Sequence, residues 1–336
     1  MKILRWSLAL ILVSAGLLVA GVGLAFKQFV EGPLTEEAAE GVLVIERGDT
    51  LTDVAGHMAD QGLVDHPRFL VWFGRMTGDA ARIQAGEFRV ETSVTPAELL
   101  EKLAAGEVIQ HGLTIVEGWN LGELRAAVAG HEALRHTLGS VSDAELMAEI
   151  GREAGHAEGR FLPDTYHFPR DTTDREFLRR AARAMDEKLA QAWEGRDEGL
   201  PFEDPYEALI LASIVEKETA VPAERARIAG VFVNRLERGM RLQTDPTVIY
   251  GLGEDFDGNL TRAHLRSDTP YNTYTRRGLP PTPIAMPGTA SLEAVVHPAE
   301  TEAVYFVSRG DGTHVFSETL DEHQQAVRRY QLKEAP

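Results

Sequence analysis

The chain has 336 residues, 43% of them hydrophobic, which is enough for two or more domains with real cores. Lys and Arg number 34 against 52 Asp and Glu, so the formal charge is −18; bulk attraction to nucleic acid is excluded, and no Lys/Arg-rich run restores it. With no cysteine, disulfides, thiolate zinc sites and a cysteine nucleophile are excluded as well.

The first predicted element is a membrane anchor. Residues 1–6 form a short tail carrying Lys2 and Arg5. Residues 7–26 hold no charged side chain, and a helix of that length reaches about 30 Å, the thickness of a bilayer's hydrocarbon core. Past Lys27 the flank turns acidic, with Glu31, Glu36, Glu37 and Glu40 in a linker over 27–40. The positive-inside rule puts the tail in the cytoplasm and the rest outside. That describes a single-pass protein of the inner (cytoplasmic) membrane with its bulk in the periplasm. A cleavable signal peptide is the rival reading. The apolar run is longer than an ordinary signal core, however, and no convincing small-x-small cleavage site follows it.

From Gly41 the pattern changes. Residues 42–55 (VLVIERGDTLTDVA) read as a strand, a Gly-Asp turn and a helix, with Asp49 or Thr50 as N-cap and Leu51, Val54 and Ala55 opening the buried stripe. A helix after Pro67, a strand over 86–90 and a helix opened by Thr95-Pro96 complete a small αβ module over 41–107. Its strand, Gly-Asp-Thr-Leu turn and helix resemble the LysM family of glycan-binding modules. The alternative is a spacer that holds the rest of the chain off the membrane.

Residues 108–336 read as a larger mixed α/β domain, making the whole chain α+β. A strand over 113–116 leads into Glu117-Gly-Trp-Asn120, then charged packing helices around 121–138 and 142–154. A turn-rich aromatic stretch over 158–166 and an amphipathic helix over 174–194 follow. After Pro201 and Pro205 comes an apolar helix ending in Glu216-Lys-Glu218, and then a helix from Pro222 to Arg238 stopped by Gly239. Beyond it the chain is loop-rich through 243–246, 269–274 and 278–288, and long irregular segments of this kind are more often functional than idle. Strands near 303–308 and 314–316 and a terminal helix close the domain.

The segment over 210–219 (ILASIVEKET) carries the strongest chemical signal. At about 100° per residue, Leu211, Ile214 and Val215 share a face with Glu218, while Glu216 points roughly the other way. Pro222 stops the helix soon after, so Glu218 sits in the last turn, where the helix dipole disfavours a carboxylate. Desolvation acts in the same direction, and a raised pKa is what a general acid needs near neutral pH. The same periodicity also fits an ordinary amphipathic helix with a solvated Glu-Lys-Glu tip.

Walker, His-Glu-x-x-His and Gly-x-Ser-x-Gly patterns are absent, and the eleven histidines are scattered without ligand spacing. Asp255-Phe-Asp-Gly-Asn259 lacks the glycine position and closing glutamate of a calcium loop and reads as a turn. A mechanism free of metal and cofactor is the economical expectation. Around Glu218 the sequence offers amides, phenols and an acid suited to sugar hydroxyls and N-acetyl groups: Asn234, Gln243, Asp245, Tyr250, Tyr271, Asn272 and Tyr274. Each also has a plain structural reading as a helix surface, turn or core position. Glycoside cleavage commonly uses two carboxyls, and Asp245, with Glu216 behind it, is the candidate for the second. With no second carboxylate, the substrate must supply its own nucleophile.

Residues 211–220 (LASIVEKETA), 231–236 (VFVNRL), 240–251 (MRLQTDPTVIYG) and 271–274 (YNTY) together resemble the endolytic murein transglycosylases of the MltG or YceG-like family. The likeness extends over almost the whole chain, including 161–166 (FLPDTY) and 278–281 (GLPP). It implies a YceG-like catalytic domain over 108–336 with Glu218 as the essential acid. It also implies non-hydrolytic cleavage between N-acetylmuramic acid and N-acetylglucosamine within nascent peptidoglycan strands, leaving 1,6-anhydromuramyl ends. A role in ending glycan elongation beside penicillin-binding synthases is implied too. A hydrolytic muramidase using Asp245, or a non-catalytic peptidoglycan-binding scaffold, are the competing expectations.

Overall fold

A single helix, α1 (Lys2–Glu31), opens the computed structural model, which describes residues 2–35, 40–91 and 93–332. The helix runs past the expected start of the linker. Residues 27–31 are acceptable helix formers, Lys27 and Glu31 pair at 3.8 Å one turn apart, and Gly32-Pro33 ends the run. Glu36 and Glu37 of the acidic flank lie outside the described residues.

The chain divides into two units, the first made of residues 1–111 and 168–171, the second of residues 112–167 and 172–336. In the first, α1 is followed by β1 (Gly41–Ile45), α2 (Leu51–Asp60), α3 (Pro67–Thr77), β2 (Gly86–Val90) and α4 (Pro96–Ala105). The strands pair antiparallel, Gly41 opposite Val90 and Ile45 opposite Gly86. Strand alternation sends Leu43 and Ile45 inward and leaves Val42 and Val44 exposed. Thr50 is the N-cap of α2 in a reciprocal box with Asp53, while the Asp49 carboxylate accepts from the Glu46 amide at 2.8 Å. Leu51, Val54, Leu70, Phe88, Leu99, Leu100 and Leu103 form the core, and Phe29 from α1 is buried with them. A Cβ on Gly74 would lie 2.4 Å from a Leu51 methyl, so a larger residue there would have to push the Leu51 side chain aside.

The chain passes into the second unit within β3 (Gln110–Thr114) and continues with α5 (Leu121–Ala129), β4 (Leu134–Arg135), α6 (Asp143–Glu149), β5 (Thr165–Pro169), whose last two residues count with the first unit, and β6 (Thr172–Thr173). The Thr114 and Thr165 hydroxyls hydrogen-bond at 2.8 Å where β3 lies beside β5, and β4 pairs parallel with β6. Then come α7 (Asp174–Gly195), α8 (Pro205–Glu218), α9 (Pro222–Glu237), α10 (Asp245–Leu252), α11 (Arg262–Arg266) and α12 (Thr289–Val296). The antiparallel hairpin β7 (Tyr305–Ser308) and β8 (His314–Ser317) and the helix α13 (Leu320–Tyr330) finish the chain.

This is a mixed α+β protein, and α8 is the central rod of the second unit. Every residue from Ala208 to Val215 is buried, because α7, α9 and α12 pack around it. A helix apolar on all sides belongs in a core, so α8 is not the one-faced amphipathic helix of the periodicity argument. Its buried Ser213 donates to the Ile210 carbonyl at 2.7 Å and accepts from the Ile284 amide at 2.9 Å, tying the Pro/Gly stretch to the rod. The segment over 243–246, expected to be loop, runs into α10 at Asp245. Pro246 sits in its first turn, where the missing N–H costs nothing, so Asp-Pro starts a helix here and does not make a turn.

Candidate active site

Glu218 is the last residue of α8, and the chain leaves it in extended conformation at Thr219 before Pro222 opens α9. Its side chain is half-buried at a cleft of about 550 Å3, lined also by Arg235, Gln243, Asp245, Tyr274, Tyr305, His314 and His323. Burial raises the Glu218 pKa above the usual carboxylate range, and the negative charge of Asp245 adds to the shift. A hydrogen bond from Thr244 and the positive fields of His314 and Arg235 oppose it without reversing it. The carbonyl end of α8 acts in the upward direction too.

The position of that carboxyl is fixed by a buried threonine knot. The Thr244 hydroxyl donates to Glu218 Oε1. Thr244 N–H donates to Thr273 Oγ1 at 3.1 Å, and the Thr247 hydroxyl donates to the Thr244 carbonyl at 2.8 Å. Thr247 and Thr273 share a further hydrogen bond of 2.9 Å. Gln243, immediately before the knot, holds φ at +50°, a left-handed conformation that side chains other than glycine rarely adopt. Such a residue persists only where its surroundings hold it, here through its amide to the Thr273 carbonyl at 3.2 Å.

Asp245 opens α10 beside the knot and accepts from the Tyr274 hydroxyl. Burial, followed by that hydrogen bond to Asp245, pushes the Tyr274 phenol pKa up, so it remains a neutral donor. Arg235 is buried. Its Nε donates to the Val304 carbonyl and its Nη1 to the Leu242 carbonyl, each at 2.6 Å. Its guanidinium also lies 5.3 Å from the Tyr305 ring centre. His314 is held by Glu224 at 2.8 Å, and His323 stacks on Tyr305 with centroids 5.0 Å apart. Burial lowers the His323 pKa, so this ring is neutral near pH 7.

Of the residues nominated from sequence, Glu218, Gln243, Asp245 and Tyr274 meet at this cleft. The others do scaffold work outside its lining. Glu216 is not solvated: it accepts from the Gly288 amide at 2.9 Å and the Ser291 hydroxyl at 2.7 Å, and pairs with Arg225 at 3.7 Å. It therefore anchors the start of α12. Asn234 donates to the Thr301 and Ala303 carbonyls at 2.6 and 3.0 Å, fixing α9 to the chain that enters β7. Asn272 is fully buried and bridges the His264 and Ser267 carbonyls to the Tyr274 amide. Tyr271 hydrogen-bonds Thr282 at 2.8 Å and packs its ring against Tyr250.

The Tyr250 hydroxyl donates to Glu158 at 3.1 Å, and this second buried carboxyl was not singled out from sequence. Arg235, Tyr305, His314 and His323 were missed too. Arg235 could have been found by the rule that selected Glu218, since it falls on the same face as the buried Val231 and Phe232. The others come from the terminal hairpin and helix and carry no local signal. In a larger cleft of about 830 Å3 between β8 and α13, the Thr319 and Glu318 amides hold the Glu322 carboxyl below the usual range, the opposite of what a general acid needs, so it is the weaker site. Among the described residues, no three His, Asp or Glu side chains gather closely enough to hold a metal ion.

Comparison with known proteins bears directly on this arrangement. The profile of the YceG-like family matches residues 43–329. A Bacillus subtilis (strain 168) protein named endolytic murein transglycosylase is 28% identical over 332 residues, covering 94% of this chain and 91% of that protein. A protein of the same name from Streptococcus pneumoniae (strain D39) is 25% identical, and the match covers 94% of this chain but 63% of that longer relative. The crystal structure of a yceG-like protein from Listeria monocytogenes superposes with a TM-score of 0.56 at 27% identity, covering 85% of this chain and 98% of the other.

Proposed function

The chain belongs to the YceG-like family, and on that premise we propose that it is an endolytic peptidoglycan transglycosylase in which Glu218 is the acid and then the base. The observation that carries this reading is a carboxyl of raised pKa, fixed by Thr244, at a cleft lined with sugar-compatible polar and aromatic groups. Relatives bearing the name endolytic murein transglycosylase over most of this chain support the substrate and the reaction.

The chemistry needs no water and no metal. Glu218 in its acid form gives its proton to the oxygen that bridges N-acetylmuramic acid and the next N-acetylglucosamine. As that C1–O4 bond breaks, positive charge grows on C1 and its ring oxygen. Asp245 and the Glu218 carboxylate stabilise that charge electrostatically in a site partly shielded from water. The muramyl 6-hydroxyl then attacks C1 and passes its proton to Glu218. The ring closes as a 1,6-anhydro sugar, and the enzyme returns to its starting protonation state. Thr244 stabilises the carboxylate between the two transfers, and Tyr274 holds Asp245 in place.

Asp245 in the same cleft also favours one competitor, a muramidase in which it activates water. Mass spectrometry of digested peptidoglycan separates the two. Anhydromuramyl ends are expected, and reducing ends would establish hydrolysis.

α1 acts in this reading as a single-pass anchor in the inner membrane, with the chain that follows it in the periplasm. The length and apolar composition of this helix, enough to cross a membrane, and the Lys2/Arg5 tail support it. Phe29, buried in the core of the first unit, favours a retained helix over a cleaved leader. The turn after β1, which carries the LysM resemblance, is read as a glycan contact, and neighbouring penicillin-binding synthases as partners during strand elongation.

A further inference from the structure

We propose that the first unit rests on the membrane surface through one face of α3, with Trp72 and Met76 in the interfacial layer and Arg68 and Arg75 at the phospholipid headgroups. The proposal builds on the reading of α1 as an anchor and adds where the folded module sits relative to the lipid.

Continuity of α1 carries the argument. The helix runs without interruption from Lys2 to Glu31, so no hinge separates its apolar span from the module. From Ser7 to Phe26 the helix rises about 29 Å, which places Phe26 at the outer boundary of a hydrocarbon layer about 30 Å thick. Phe26 packs on Trp72 with ring centres 4.3 Å apart and on Phe69 at 5.6 Å, and Phe29 packs on Phe69 at 5.8 Å. The α3 face therefore stands at the depth where indole rings gather in membrane proteins.

The exposed side chains of α3 have the composition this depth requires. Trp72 is 49% exposed and Met76, one turn on, 63% exposed; both would be poor choices for a face turned to water. Arg68 and Arg75 stand four residues before and three after Trp72, on the same helical face. Their aliphatic stems can lie along apolar surface while the guanidinium groups reach phosphate. Beside them runs a groove of about 380 Å3, lined by Ala55, Gly56, Pro67 and Val71 together with Trp72. Thus α3 combines an apolar strip, an aromatic at the boundary and two cations, and it is already tied to the helix that enters the lipid.

The chain has no cysteine, so single labels are straightforward. A nitroxide on M76C in the full chain, reconstituted in phospholipid nanodiscs, is compared with labels on L12C in α1 and on the exposed E198C. Collisions with oxygen and with a water-soluble nickel chelate report depth. The expected result is that the label at 76 falls between the other two, more open to oxygen and less open to chelate than the label at 198, while the label at 12 favours oxygen most. A label at 76 as open to chelate as that at 198, with the label at 12 still in lipid, overturns the proposal and leaves the anchor standing. Chelate access at 12 as well overturns the anchor and the proposal together.

Discussion

Glu158 is the buried carboxyl of the second unit whose acidity links most directly to stability. Its carboxyl is 4% exposed and accepts from the Leu121 amide with both oxygens at 3.1 Å and from the Tyr250 hydroxyl. Burial outweighs these hydrogen bonds and pushes its pKa up from the ordinary 4.5 to about 7. The folded protein therefore holds this proton more tightly than the unfolded chain. The resulting stability is fully present below pH 4.5, declines as pH rises toward 7 and is gone above it. Moving the carboxyl from 4.5 to about 7 corresponds to about 3 kcal/mol across that window.

Glu158→Gln removes the titration at nearly constant shape. The amide oxygen can still accept from Leu121, and its NH2 can donate to the Tyr250 oxygen while that hydroxyl turns to Thr282. Thermal and urea unfolding of wild type and variant from pH 4 to 9 should show the stability difference moving in favour of glutamine by about 3 kcal/mol between pH 4.5 and 8. Parallel pH profiles for the two proteins would refute the reasoning. So would a difference that moves in favour of glutamate as pH rises.

The remaining predictions concern groups around Glu218. Thr244→Val removes the hydroxyl that donates to Glu218 and holds its pKa down, so the basic limb of the pH–rate profile should shift upward while kcat falls. Thr244→Ser should restore both, whereas a purely structural loss would lower activity without moving the profile. Arg235→Met leaves the Val304 and Leu242 carbonyls without their donor. It should lower unfolding free energy by about 1–3 kcal/mol per buried acceptor, measured by urea denaturation.

Much of the frame was legible because it rests on local rules. The charge-free run over 7–26, the Thr50 and Thr95 helix starts and the Pro222 start each depend on a few neighbouring residues. The helical-face argument selected Glu218 by ranking it against Glu216, yet it misjudged the environment of Glu216. Both sides of α8 are covered, and the groups that hold Glu216 come from Gly288 and Ser291, more than seventy residues further on. Asp245-Pro246 has the composition of a turn, and only tertiary packing decides that it starts α10. The fixed Thr244 hydroxyl and the His314 and His323 rings were beyond reach for the same reason: they come to Glu218 through folding, not through spacing in the chain.

Glu218→Gln, assayed for release of anhydromuramyl fragments alongside binding to intact sacculi, tests the proton transfer most directly. With the acid replaced by an amide of the same shape, cleavage should fall by roughly 10²–10⁴-fold while binding persists. Undiminished formation of anhydro ends by that variant would contradict the assignment of the acid to this side chain.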